Sequence, residues 1–127
     1  MKYNIVSIAV TLPIILAAGI FFMAYTHTIA NTFIDTTRRL EENARNGQWD
    51  HARQVLEDMS SDWDSKKSLL QLWVVHADTD DVSKYLGEAR VGLALQDRSL
   101  LFVSTANLIE SLEHLHHKDD LNLSNIL

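Results

Sequence analysis

The stretch IVSIAVTLPIILAAGIFFMAY, residues 5–25, holds no Asp, Glu, Lys or Arg, and the first acidic residue of the chain is Asp35. As a helix rising about 1.5 Å per residue, it matches the roughly 30 Å hydrocarbon core of a bilayer. A cleavable secretion signal needs an apolar core of only about 7 to 15 residues. Ala17-Ala18-Gly19 offers the small residues of a cleavage site, but cutting there would leave Ile20-Phe21-Phe22-Met23 as a new, strongly apolar start. The expectation is therefore a retained N-terminal anchor over residues 1–26, with membrane lipid contacted through residues 5–25. Tyr3 and Tyr25 bracket the run as amphipathic rings at the two headgroup levels would. Pro13 inside the run permits a kink without preventing a span.

Two signals bear on orientation. Lys2 and the terminal amine directly abut the apolar run and favour a cytoplasmic N-terminus, while Arg38 and Arg39 beyond it compete. Asp35, Glu41 and Glu42 accompany those arginines, so the expected arrangement is a single pass through the cell membrane with residues 27–127 outside the cytoplasm.

The chain has 127 residues, so the part beyond the anchor suffices for one core and one domain. All but one of the 11 Lys and Arg residues lie in that part, together with all 17 Asp and Glu. An acidic surface repels nucleic-acid phosphates, and no basic face offsets it, so nucleic-acid binding is not expected. Cysteine is absent, which excludes disulfides, thiolate metal sites and Cys nucleophiles. One proline and four glycines leave few interruptions to helices.

Helical spacing dominates the remainder. Ile29, Phe33, Thr37, Leu40 and Ala44 form one stripe, with Arg38, Glu41, Glu42 and Arg45 opposite, and Asn46-Gly47 supplies a C-terminal cap. Nothing between Tyr25 and Ile29 breaks the helix, so anchor and domain are expected to share one rod. Trp49, Ala52, Leu56, Met59, Trp63, Lys66, Leu70 and Trp73 alternate at spacings of three and four, which predicts a second helix with all three tryptophans on its buried stripe. Core packing of Trp49, Trp63, Trp73 and Leu70 is favoured over a tryptophan-lined ligand groove. Val82, Leu86, Ala89 and Leu93 make a third stripe after caps in Ala77–Asp81, with Ala89 and Gly92 expected to make room for a facing tryptophan. Asp97 caps a fourth helix bearing Leu101, Thr105, Leu108, Leu112 and Leu115 and ending near Lys118.

Short connections near Gly47, Ala77–Asp80 and Gln96–Asp97 make successive helices antiparallel neighbours. The fold class expected is all-α: an N-terminal transmembrane helix continuing into an up-down-up-down antiparallel four-helix bundle. The apolar tail with Leu121, Leu123, Ile126 and Leu127 would dock on the bundle, on lipid or on a partner.

This topology gathers His27, His76, His114, His116 and His117 at the membrane-proximal end. By helical position His76 and His116 lean inward, and with Asp78 they could converge on a metal ion, with His27 as a further candidate ligand. The plainer role is hydrogen bonding to free carbonyls and the dipole at helix ends. No nucleophile, Gly-rich phosphate loop or metalloprotease spacing accompanies the His-Asp pair, so no enzymatic activity and no cofactor is expected.

The GQWDHA opening of the second helix, Trp63, His76 with the acids after it, and the closing NLSNIL resemble a domain-of-unknown-function family of small, singly anchored helical proteins from Gram-positive spore-forming bacteria. Trp49, Ala52, Trp63, His76 and Asn125-Ile126 carry that resemblance. Trp73-Val74-Val75 departs from it where a Phe-Ile-like pair would stand. The resemblance implies a membrane-tethered helical domain working beside another integral membrane protein, and it supplies no activity. The functional expectation is either a tethered interaction or accessory module acting on a membrane partner, or an extracytoplasmic ligand or metal sensor built on the histidine layer. Homo-oligomerisation is compatible with both.

Overall fold

A computed structural model describes the backbone of residues 2–124 and the side chains of residues 2–115. Its four helices are, in order, α1 (Lys2–Arg45), α2 (Trp49–Leu70), α3 (His76–Ala94) and α4 (Arg98–Ser124), and no strand occurs among the described residues. Each helix packs on the next, and α4 closes the ring against α1. With connections of only a few residues, this is an up-down-up-down four-helix bundle.

The first helix is one unbroken rod of 44 residues that runs through Pro13. Its N-terminal half is long and apolar enough to cross a membrane, and none of that apolar window is buried by the rest of the chain. Burial begins at Thr26. From there Ile29, Ala30, Phe33, Ile34, Thr37, Leu40 and Ala44 form one wall of the core, so the stripe read from spacing is the stripe that packs.

The opposite wall is built from Ala52, Leu56, Met59, Trp63 and Leu70 on α2, Val82, Leu86, Ala89 and Leu93 on α3, and Leu101, Leu108, Leu112 and Leu115 on α4. Each fully buried leucine contributes roughly 1.5–3 kcal/mol relative to exposure. Trp63 is fully enclosed, meets Phe33 edge-on with centroids 5.7 Å apart, and donates its indole N–H to Ser83 Oγ at 2.9 Å. That bond satisfies the polar atom such burial would otherwise leave costly.

Two matched turns close the end of the bundle far from the apolar half of α1. At the first, Gln48 N–H donates to Asn43 O and Gly47 N–H to Ala44 O, with Gly47 at φ 73°. At the second, Asp97 N–H donates to Gly92 O and Gln96 N–H to Leu93 O, with Gln96 at φ 50°. Both are Schellman endings, in which a left-handed residue turns the chain back over its own last carbonyls. Asp97 also caps α4, accepting from the Leu100 N–H at 3.0 Å.

Three expectations change. Gly92 faces no tryptophan: a Cβ there would stand 2.9 Å from the backbone nitrogen of Leu101, so the glycine admits the α4 main chain itself. Ala77–Asp80 is no connection, because it already belongs to the first turn of α3. The fourth helix runs past Lys118 to Ser124. The placement of Ile126 lies outside the described residues.

Candidate functional site

The end of the bundle where α1 enters it holds the features that core packing leaves unexplained. After Leu70, the chain leaves α2 through tight turn bonds, Trp73 N–H to Leu70 O at 3.1 Å and Val74 N–H to Leu70 O at 2.8 Å. It resumes as α3 at His76. Trp73 therefore sits in this connection, although its spacing from Trp63 and Leu70 continues the α2 stripe.

Contact with α1 explains the difference. The Trp73 ring stacks on Phe22 with centroids 4.4 Å apart and meets Tyr25 edge-on at 6.1 Å. Its indole N–H donates to Thr26 Oγ1 at 2.8 Å, and the Thr26 hydroxyl in turn donates to Phe22 O at 2.9 Å. One buried hydroxyl thus satisfies the ring and fixes it against the last turns of the apolar run. Aromatic contacts of this kind add about 0.5–1.5 kcal/mol beyond area burial.

Polar links hold α2 to α3 just inside the same end. Lys67 Nζ lies 2.7 Å from Asp80 Oδ1, and Gln71 Nε2 donates to Thr79 Oγ1 at 2.9 Å. The hydrogen bond from Lys67 keeps the Asp80 carboxyl below its ordinary 3.8; desolvation opposes it, and the positive fields of Lys67 and then His76 add to the lowering.

Of the expected metal ligands, His76 is exposed at the first position of α3, and Asp78 is half-buried two residues on. The inward lean inferred for His76 assumed that the α2 register continued to residue 76. The helix ends at Leu70, so that register is lost. The side chain of His116 lies outside the described residues. Among the described residues no group of three His, Cys, Asp or Glu side chains is arranged to hold a metal ion. His27 is exposed and shares a 2.9 Å hydrogen bond between its Nε2 and Asn31 Nδ2. Trp49 is half-buried near the distal turns, with the Arg98 guanidinium 5.9 Å from its ring centre. Leu70 and Leu112 are fully buried, as core positions should be.

A groove of about 290 Å³ runs between α1 and α2. Its apolar lining is half-buried Val55 with Phe33 and Met59, both almost fully enclosed, and Arg39, Asp58 and Asp62 line its walls.

Outside the span, exposed large apolar side chains lie at the α2–α3 end and, as Val91, Leu95 and Val103, around the α3–α4 turn and its helices. At the α2–α3 end Leu72 is 77% and Val75 61% exposed in the connection, with Leu69 46% exposed at the end of α2, and Trp73 between Leu72 and Val75 contacts Phe22 and Tyr25 of α1. Sequence periodicity concealed this cluster by assigning the segment to a buried stripe. The uncharged run Ser68–Val75 was the available signal.

A family model described as a domain of unknown function (DUF4363) matches residues 20–126. The chain belongs to this DUF4363 family. The match starts inside the apolar run and covers the whole bundle. No curated protein and no solved structure matches the chain.

Proposed function

We propose that this DUF4363 protein is a membrane-tethered, non-enzymatic accessory module: residues 5–25 stay in the bilayer, and the bundle acts on another integral membrane protein from outside the cytoplasm. The observation that carries this reading is the division of α1 into two halves within one rod. The first half is apolar and bare. The second supplies a wall of the bundle core, so a force or displacement on the domain reaches the span without a flexible linker. Resemblance to singly anchored proteins of Gram-positive spore formers supports the tether. The uncharged span offers no polar ion path of its own, and its small residues Ala17, Ala18 and Gly19 leave a surface to which a neighbouring helix can approach closely.

Crosslinking in the native membrane, with identification of the crosslinked neighbours, tests the proposal. A recurrent multi-spanning partner is the expected result. Recovery of this chain alone, across several crosslinker lengths and mild detergents, contradicts it.

A further inference from the structure

We propose that the α2–α3 connection is itself a lipid-inserting loop, with Leu72 and Val75 entering the bilayer interface beside α1 and Trp73 setting their depth. The inference rests on the reading of residues 5–25 as a retained span, and it adds a second point at which the domain meets lipid.

Depth comes first. Trp73 stacks on Phe22 and bonds to Thr26. Phe22 lies three residues, or about 4.5 Å of helix, inside the end of the apolar run at Tyr25. The connection is thereby held within one turn of the level at which the span leaves hydrocarbon. That is the level where tryptophan and tyrosine rings are enriched in membrane proteins, apolar body inward and polar edge satisfied.

Composition agrees with depth. No charge occurs from Ser68 to Val75, while Lys66 and Lys67 precede this stretch and His76 and Asp78 come after it. Charged groups therefore begin where a shallow insertion would end. Leu72 and Val75 are the most exposed large apolar side chains of the α2–α3 end, and Trp73 between them packs on Phe22 and Tyr25 of the bare apolar half of α1. Lipid covering that surface would extend over the loop without a break.

Local structure points the same way. Val75 occupies the N-cap of α3 with extended backbone and no side-chain bond to the helix. Ser, Thr, Asp or Asn at that position would stabilise α3 by accepting from one of its free first-turn N–H groups. A valine kept exposed where a polar cap is favoured makes sense if its surroundings are apolar, since residues that break a local rule concentrate where another demand acts. An interfacial segment of this kind buries its apolar face about 5–10 Å into the headgroup and acyl boundary. Attachment at both α1 and the loop would fix which side of the bundle faces the membrane.

The absence of cysteine allows a direct test on the full chain. Leu72→Cys, Val75→Cys, Ile14→Cys and His51→Cys, each carrying a nitroxide, are reconstituted into vesicles of phosphatidylcholine with a minority of phosphatidylglycerol. Collision with oxygen is then compared with collision with a water-soluble nickel chelate. The four sites are all exposed, so the labels leave the core intact. Oxygen-dominated contact at residues 72 and 75, as at residue 14, with nickel-dominated contact at residue 51, is expected. Nickel-dominated contact at residue 72 with residue 14 still in lipid overturns the loop insertion alone. Shielding of residue 72 from both reagents overturns it in favour of a covering protein surface. Nickel access at residue 14 overturns the retained span as well.

Discussion

Gly92 and Gly87 lie five residues apart on α3 and face opposite surroundings. A methyl group on Gly92 would collide with the Leu101 backbone, whereas Gly87 has nothing within 4 Å of that position. Main chain yields less readily than a side-chain tip, so Gly92→Ala should destabilise the bundle by about 1–3 kcal/mol. Gly87→Ala should stabilise it by about 1 kcal/mol through helix propensity alone. Chemical denaturation of both variants in the same detergent reads the two signs side by side. The sequence announces that something small is needed at residue 92, but only the packed structure reveals that a backbone comes close there. Thr26 is a similar case. The stripe read from spacing began at Ile29 and left Thr26 in the anchor, so neither its burial nor its service as acceptor for Trp73, distant in sequence, was legible. Thr26→Val keeps the shape and leaves the indole N–H without its partner, an expected cost of about 1–3 kcal/mol visible in the same denaturation series.

The four helices and the positions of their core stripes could be read from the spacing of apolar residues. Helix ends were harder to read. The α1–α2 turn was plain because Asn46-Gly47 supplies the left-handed residue that a Schellman ending requires. The α3–α4 turn uses Gln96 in the same conformation, which for an L-residue with a Cβ costs roughly 1–2 kcal/mol. Gln96→Gly should therefore raise stability by about 1 kcal/mol, measured as a later denaturation midpoint with an unchanged slope. The end of α2 carries neither glycine nor proline, and the three-four spacing runs on to Trp73. A tertiary contact with α1 overrides that periodicity, and the inward lean of His76 read from the longer helix is lost with it.

At this same α2–α3 end, the folded state holds the Asp80 carboxyl below 3.8 because Lys67 hydrogen-bonds its charged form. The unfolded chain then binds the proton more readily than the folded one. Stability from the pair is present above the ordinary carboxylate value and declines as pH falls through the lower value of Asp80. NMR titration of the Asp80 carboxyl carbon should show the low midpoint, and Lys67→Met should move it upward.

For the molecule as a whole, α1 belongs at once to an apolar rod and to a four-helix core. That continuity was legible because no breaker intervenes between Tyr25 and Ile29. The aromatic clip between the connection and the rod was not, since it joins residues far apart in sequence through a loop that periodicity had assigned to a helix. Tether, accessory role and loop insertion all depend on the apolar half of α1 remaining attached to the bundle in the cell. Intact mass determination of the native protein, recovered from alkali-washed membranes and from the medium, tests this most directly. The expected result is a membrane-bound species that retains residues 5–25; a species beginning after Gly19 and found free in the medium would contradict it.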